Sequence, residues 1–481
     1  MKKSKFVRLL KTFSIEEIKL FYDFLASPYH NKNKKCVALM ELILPFAPDF
    51  EDDRMDRQDF LDVIYTNKNS IKTLLQTMIR LFEEFLINEG LQKQELYKKY
   101  LLLQELRNRK SYNQFTNVYQ QMKRSFDMKP QKNLMDFHHR YLLATEYFQY
   151  LFIHNEVTAE DYESLWLHMD QSYVLSRLKY TSSMLNKQRI KSAPMNIPSA
   201  DTMLQLAEEQ RLSNNTPLVE IYKTAYQLIL HNEDRYFHTL IELLENNLSN
   251  ITKEQANEFY TAAINFCIRK HVAGKLGYYH HVFKIYQICL EERIFFVNKV
   301  ITPQRLHNLV VIGSHTKNFE WVENFLEENK QNIEAKFRAF AYHYSKGVLY
   351  YNQDKLSESS DALIEASFEG TPKNMAKYTF MKRYNINIQV LLLRIYYEQK
   401  EVFAFDSLVK SFLERIRLVK DINQQEKKAY QHFAAIVKLL FRKKNDPNFK
   451  TSLESIKNKL HSYSNIGNKQ WLLTKIEELE K

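Results

Sequence analysis

Only 7 of the 481 residues are glycine and 10 are proline. Tight hairpins, strand crossovers and phosphate-cradling loops draw on glycine's access to positive φ, so a β-rich or α/β enzyme of this length is poorly served by such a chain. Helical hairpins need much less, because short polar loops of Asn, Asp and Lys can join them. The expected fold class is therefore all-α. A hydrophobic fraction of 44% beside 26% charged residues is ordinary for a folded core.

The opening Met1-Lys-Lys-Ser-Lys-Phe-Val-Arg-Leu-Leu-Lys11 has the basic flank of a signal peptide, but Arg8 and Lys11 interrupt its apolar stretch, so it reads as a mature start. The most apolar run, Tyr141 to Ile153, is too short to cross a bilayer and holds Glu146. No membrane insertion and a cytoplasmic location are expected. Cys36, Cys267 and Cys289 are too few and too scattered for a disulfide framework, which suits a reducing compartment.

Residues 1–90 read as an N-terminal helical unit. Ser14 and Glu17 form a capping box ahead of the apolar face Ile15, Ile18, Phe21, Tyr22 and Leu25, and Pro28 ends that helix. Further helices are expected from about Asn33 to Leu44, near Asp56 to Tyr65, and from Asn69 or Ser70 to a C-cap at Gly90. Four short helices could be a DNA reader, but no alternating run supplies a wing and the unit carries no net charge. The favoured reading is a unit that caps a helical array beginning near Leu91.

From Leu91 onward, apolar stripes of helical period alternate with polar breaks. Lys187 to Ser199, with two prolines, reads as a flexible linker between a first helical-hairpin block, 91–190, and a second region, 199–481. In that second region Gly347 is followed by Tyr350, Ser359, Leu363, Ala366 and Pro372. This spacing resembles the tetratricopeptide repeat, in which a helical glycine meets a small residue of the next helix and a proline closes the unit. Leu392, Ile395, Ala404, Leu408 and Ser411 repeat the skeleton 45 residues after Gly347, and Ala225, Leu228, Phe237, Ile241 and Leu244 echo it earlier. The spacing is longer than the tetratricopeptide period of about 34. The implied architecture is an irregular tetratricopeptide-like α-solenoid preceded by the small N-terminal unit.

The chain also resembles a family of bacterial helical-repeat proteins through Ser27-Pro-Tyr-His-Asn-Lys-Asn33, Asn265-Phe-Cys-Ile-Arg-Lys270, Phe319-Glu-Trp-Val-Glu-Asn-Phe-Leu326 and Leu391-Leu-Leu-Arg-Ile-Tyr-Tyr397. That resemblance carries no function with it.

No GxSxG, GxxxxGK[ST] or HExxH occurs, so no catalytic residue, cofactor or metal is assigned and a catalyst is not expected. Cys267, His271, His280, His281 and Cys289 could in principle meet at zinc, but their spacing fits no standard module and cysteine on an apolar face is usually a buried hydrophobe. Carboxylates such as Glu323, Glu327, Glu328, Glu358, Asp361 and Glu365 fall at spacings that line a solvated helix face.

The net charge of +12 is spread as 0, +6, −3 and +9 over residues 1–90, 91–200, 201–330 and 331–481. A basic C-terminal third can bind RNA or DNA, and Lys373, Lys377, Lys382 and Arg383 have Tyr378 and Tyr384 among them. The alternative origin is a base composition that favours Lys, Asn, Ile, Phe and Tyr codons. Arg442-Lys443-Lys444, at a helix end, suits the helix dipole.

If the tetratricopeptide likeness holds, first helices line an inner wall. It then points Tyr344, Tyr351 and Asn352 inward, and with them Gln389, Tyr396 and Tyr397. Tyrosine suits peptide recognition, with large apolar area and a polar tip, and it equally suits packing between helix pairs. The functional expectation is a non-catalytic scaffold that binds peptide segments or partner proteins.

Overall fold

The computed structural model describes residues 1–56, 68–191, 196–197, 199–214, 216–296, 299–368, 379–419 and 422–481. Among these, the regular structure is helical; extended pairing is confined to an isolated parallel bridge between Ile301 and Ile333. No described helix is long and apolar enough to cross a membrane.

Among the described residues, eight helices end in one recurring way. The N–H of Ser111, Glu156, Leu212, Lys275, Ile294, Asn318, Lys355 and Glu401 bonds back to the carbonyl five residues earlier. The residue before each of these donors is left-handed. Bonds of this span close the Schellman motif, where glycine is the usual left-handed residue. Here Lys110, Asn155, Arg211, Arg293, Lys317, Asp354 and Lys400 take that role, and only Gly274 of the eight is glycine. The shortage of glycine is thus met by polar residues at helix ends.

The chain forms two compact units, Met1–Leu178 with Ala200–Val219, and Lys179–Ser199 with Glu220–Lys481. The position expected as the first boundary, residue 90, falls inside the helix Lys68–Gln92. Gly90 is therefore helical and is not a C-cap.

In the first unit, Ser14 and Glu17 form the capping box of Ile15–Ala26, and Asn33 caps Lys34–Ile43. A further helix, Lys5–Leu10, precedes them and was not expected. Its Phe6, with Phe13, Phe21, Phe24, Phe82 and Phe85, joins a buried cluster in which Phe13 stacks on Phe82 at 4.5 Å and Phe21 meets Phe82 edge-on at 5.5 Å. The helix expected near Asp56 to Tyr65 lies outside the described residues apart from Asp56, which ends a short 3-10 turn. Farther on, Glu146 of Leu134–His154 is buried but matched, accepting from Arg107 at 2.9 Å and Gln104 at 3.0 Å.

The expected linker is partly helix, because Ala159–Lys191 runs without a break through Lys187. Residues 192–195 and 198 lie outside the described residues.

The second unit continues as helix pairs. Lys253–Val272 packs on Tyr278–Glu291, Pro303–His315 on Phe319–Asn329, Arg338–Asn352 on Leu356–Phe368, Thr379–Gln399 on Val402–Leu418, and Gln424–Asn445 on Leu453–Ser462; Lys469–Glu480 comes last. Pro303–His315 also packs directly on Arg338–Asn352, so these first helices of successive pairs are neighbours.

Two of the pairs meet at a helical glycine. A Cβ on Gly347 would lie 2.6 Å from Leu363 Cγ, and one on Gly313 would lie 2.3 Å from Val322 Cγ2. Ser359 donates its hydroxyl to the Gly347 carbonyl at 2.7 Å, and Ser359, Leu363 and Ala366 are all buried. The small residue opposite Gly347 thus holds its carbonyl, while Leu363 covers its Cα. Tyr350 is half-buried beneath Lys355, and Pro372 lies outside the described residues.

The skeleton expected after Leu392 is out of phase. Ala404 and Leu408 are half-buried and Ser411 is exposed, bonded to its own helix at Leu408. The buried stripe is Phe405, Val409, Phe412 and Ile416, one residue farther along.

Candidate functional site

The second unit holds a half-open cavity of about 580 Å³ whose helical lining comes from alternate helices. His307, Val311 and His315 come from Pro303–His315, and Tyr344, Val348, Tyr351 and Asn352 from Arg338–Asn352. Asn387, Val390, Leu391 and Arg394 come from Thr379–Gln399, and Glu426, Ala429 and Tyr430 from Gln424–Asn445; Asn465, Gly467 and Asn468 complete it from the turn before the last helix. Each helix contributes positions three, four or seven apart, which share one face at 3.6 residues per turn. The intervening second helices contribute nothing to this lining.

Three of the six residues expected on an inner wall line this cavity. Tyr344 is buried, its ring 4.9 Å from His307 and 5.1 Å from Tyr384, and burial pushes its phenol well above the usual range. Tyr351 is half-buried with its phenol also raised by burial, an effect that Arg394 opposes. Asn352 donates to Val348 O at 2.7 Å, ending its helix.

Gln389, Tyr396 and Tyr397 do not line it. Gln389 is buried with its side-chain oxygen unpartnered. Tyr397 belongs to the C-terminal core, edge-on to Trp471 at 5.3 Å, with Tyr396 packed against that core. The error is one of register. An offset of 45 residues carries Tyr344, Tyr351 and Asn352 onto Gln389, Tyr396 and Tyr397, whereas His307, Tyr344, Asn387 and Tyr430 line the cavity at offsets of 37, 43 and 43. Two residues of slip rotate a helical position by about 200°.

His307, Val311, His315, Asn387, Arg394 and Tyr430 were missed. One signal was available: His307, Val311 and His315, like Tyr344, Val348 and Asn352, repeat a polar-apolar-polar stripe at four-residue steps.

Burial among rings lowers His307 to about 4, and its Nδ1 is buried without a hydrogen-bond partner. The one acid in the lining, Glu426, accepts from Arg383 Nη2 through both oxygens at 3.0 and 3.1 Å. Arg394 lies over the Tyr351 ring at 4.6 Å and the Trp471 ring at 5.2 Å.

The other candidate clusters are scattered or engaged. Cys267 and Cys289 are buried, with burial pushing the Cys267 thiol up to about 12. His271 stacks on Tyr279 at 3.6 Å, and His281 meets Phe237 edge-on at 5.4 Å. Among the described residues no three His, Cys, Asp or Glu side chains gather as a metal site. Glu327 is not merely solvated: Tyr342 donates to it at 2.5 Å and Lys346 pairs with it at 2.6 Å. Lys444 pairs with Glu398 and Lys443 bonds Phe449 O. Tyr384 is buried, so its ring is not free to stack on a base, and Lys373, Lys377 and Tyr378 lie outside the described residues.

No protein-family model matches this chain, and no curated protein or solved structure matches it significantly.

Proposed function

We propose that this protein is a non-catalytic scaffold, an irregular tetratricopeptide-like helical array that holds a peptide segment of a partner protein in the cavity lined by its first helices. The observation that carries this reading is the lining itself, drawn from four first helices and none of their partners. A wall of that origin offers a ligand a series of rigid faces rather than one mobile loop. Its chemistry is that of peptide recognition: Val311, Val348, Val390 and Leu391 supply apolar surface, Tyr351 and Tyr430 rings with polar tips, and Asn352, Asn387 and Asn468 amide groups. His307 sits against aromatic rings, and the thiols of Cys267 and Cys289 are held protonated by burial, an arrangement suited to packing rather than nucleophilic attack.

Filling the cavity tests the reading. Val311→Trp and Leu391→Trp place an indole in the lining; partners that co-purify with the unaltered protein from its native cells are expected to be lost from both variants while helix content is kept. Retention of every partner by both folded variants removes the cavity from the account. Capture of nucleic acid instead, with a steep loss on raising salt, would favour a polyanion-binding role for the basic C-terminal third.

A further inference from the structure

Arg394 is a cavity residue with an unmet donor at Nε, although its guanidinium also reaches the Tyr351 phenol. It lies seven residues after Asn387 on the same helix face, with its guanidinium against the rings of Tyr351 and Trp471. Rings on the flat face of a guanidinium hold its orientation and leave its edge of N–H donors to an acceptor. No such acceptor is supplied at Nε, which is buried without a hydrogen bond.

The acids nearest in the chain and in the lining are already engaged. Glu398, one turn on, pairs with Lys444 at 3.5 Å and Lys475 at 2.6 Å. Glu426 is held by Arg383. The wall therefore carries one positive charge that its own carboxylate does not balance, and a second unmet polar atom in His307 Nδ1. Beside Arg394 stand Val390 and Leu391, with Val348 on the neighbouring helix. A planar anion that receives two parallel N–H bonds completes this guanidinium, and the adjoining surface takes an apolar group.

We propose that the cavity selects a carboxylate-bearing peptide, with the carboxylate on Arg394 and a neighbouring apolar side chain against Val348 and Leu391. This rests on the peptide-binding reading above and adds the chemistry of the ligand. Two sources supply such a carboxylate, an Asp or Glu side chain and the end of a peptide chain.

The test pans two random twelve-residue peptide libraries on the full chain, one fused at its C-terminus to the carrier and one displayed with its C-terminus free. Val311→Trp protein serves for counter-selection. Enrichment of Asp or Glu beside an apolar residue in the blocked library, or of binders that need a free terminus in the other, supports the proposal and identifies the source. The best binder is then titrated as acid and as amide. Replacing the carboxylate by the amide is expected to weaken binding to the unaltered protein at least about tenfold and to cost little on Arg394→Gln, with Arg394→Lys intermediate. Enriched peptides without a required carboxylate, or an acid-to-amide loss undiminished in folded Arg394→Gln, overturn the anion site and leave peptide binding standing. Failure of both libraries to yield a binder that Val311→Trp rejects overturns both readings. The acid-to-amide comparison on the unaltered protein remains decisive even where Arg394→Gln fails to fold.

Discussion

Two adjacent helix pairs, Arg338–Asn352 with Leu356–Phe368 and Thr379–Gln399 with Val402–Leu418, are closed by the same turn and packed by opposite means. In both, a left-handed polar residue, Asp354 or Lys400, precedes the N–H that bonds back five residues. The first seam then uses absence of bulk: Gly347 lets Leu363 approach, and Ser359 secures the Gly347 carbonyl. The second uses bulk. Phe405, Val409 and Phe412 fill it, and Phe405 stacks at 3.9 Å on Phe441 of the following helix Gln424–Asn445. A seam of small residues is complete within its pair, whereas a seam of rings depends on the next helix along.

The largest expected effect breaks the second seam. Phe405→Ala should cost about 3–5 kcal/mol, because a fully buried ring leaves a void that close-packed neighbours fill only in part. Hydrogen exchange read helix by helix should show faster opening in both Val402–Leu418 and Gln424–Asn445. Protection lost in the first helix alone would contradict the shared packing.

Gly347→Ala comes next. Helix propensity favours alanine by about 1 kcal/mol, but the new methyl meets Leu363 near the base of its side chain, and overpacking of that kind costs roughly 1–3 kcal/mol. The expected outcome is net loss, greater still for Gly347→Leu, with opening confined to this pair. A stabilised Gly347→Ala would show that the close approach is easily relieved.

The cavity that these pairs help to line carries a pH signature. His307 is depressed in the folded chain to about 4 from an ordinary 6.5, so between those values the unfolded state binds more protons and stability falls as pH drops from 6.5 toward 4. At pH 5 the loss from this group should be about 2 kcal/mol. Urea denaturation of the His307→Gln variant should show a smaller difference between pH 7 and pH 5 than the unaltered chain. An equal difference would place His307 in contact with water.

The smallest effect sharpens the glycine comparison from the other unit. Gly90 is also helical, and nothing lies within 4 Å of where its Cβ would stand. Gly90→Ala should therefore stabilise its unit by about 0.5–1 kcal/mol, the opposite sign to Gly347→Ala. Loss of protection in Lys68–Gln92 would contradict the assignment of free space there.

The two seams also explain what could be read in advance. Helical structure followed from composition, and the capping box of Ser14 with Glu17 located a helix start, because both are local properties of the chain. The contact at Gly347 was legible because glycine inside an otherwise helical pattern already needs a reason. No such mark exists at Phe405: Val402, Phe403 and Ala404 precede it and Leu408 adjoins Val409, so the buried stripe could be placed one residue early. A separate slip, two residues too far, moved the inward face from Asn387 and Arg394 to Gln389 and Tyr396, and with them Tyr397. Tyrosine was a misleading guide, since Tyr397 is core, and Arg394 reads as an ordinary surface cation until Tyr351 and Trp471 are seen beside it.

Site-specific photocrosslinking asks most directly whether the wall of first helices is the working surface. A photoreactive amino acid at Leu391, in the cavity lining, is compared with one at Leu413, exposed on the second helix of the same pair. In native cells the Leu391 position is expected to capture a partner at one short peptide segment, a product that Leu413 does not give and that Val348→Trp abolishes. Capture of that partner from Leu413 with none from Leu391 would contradict the account.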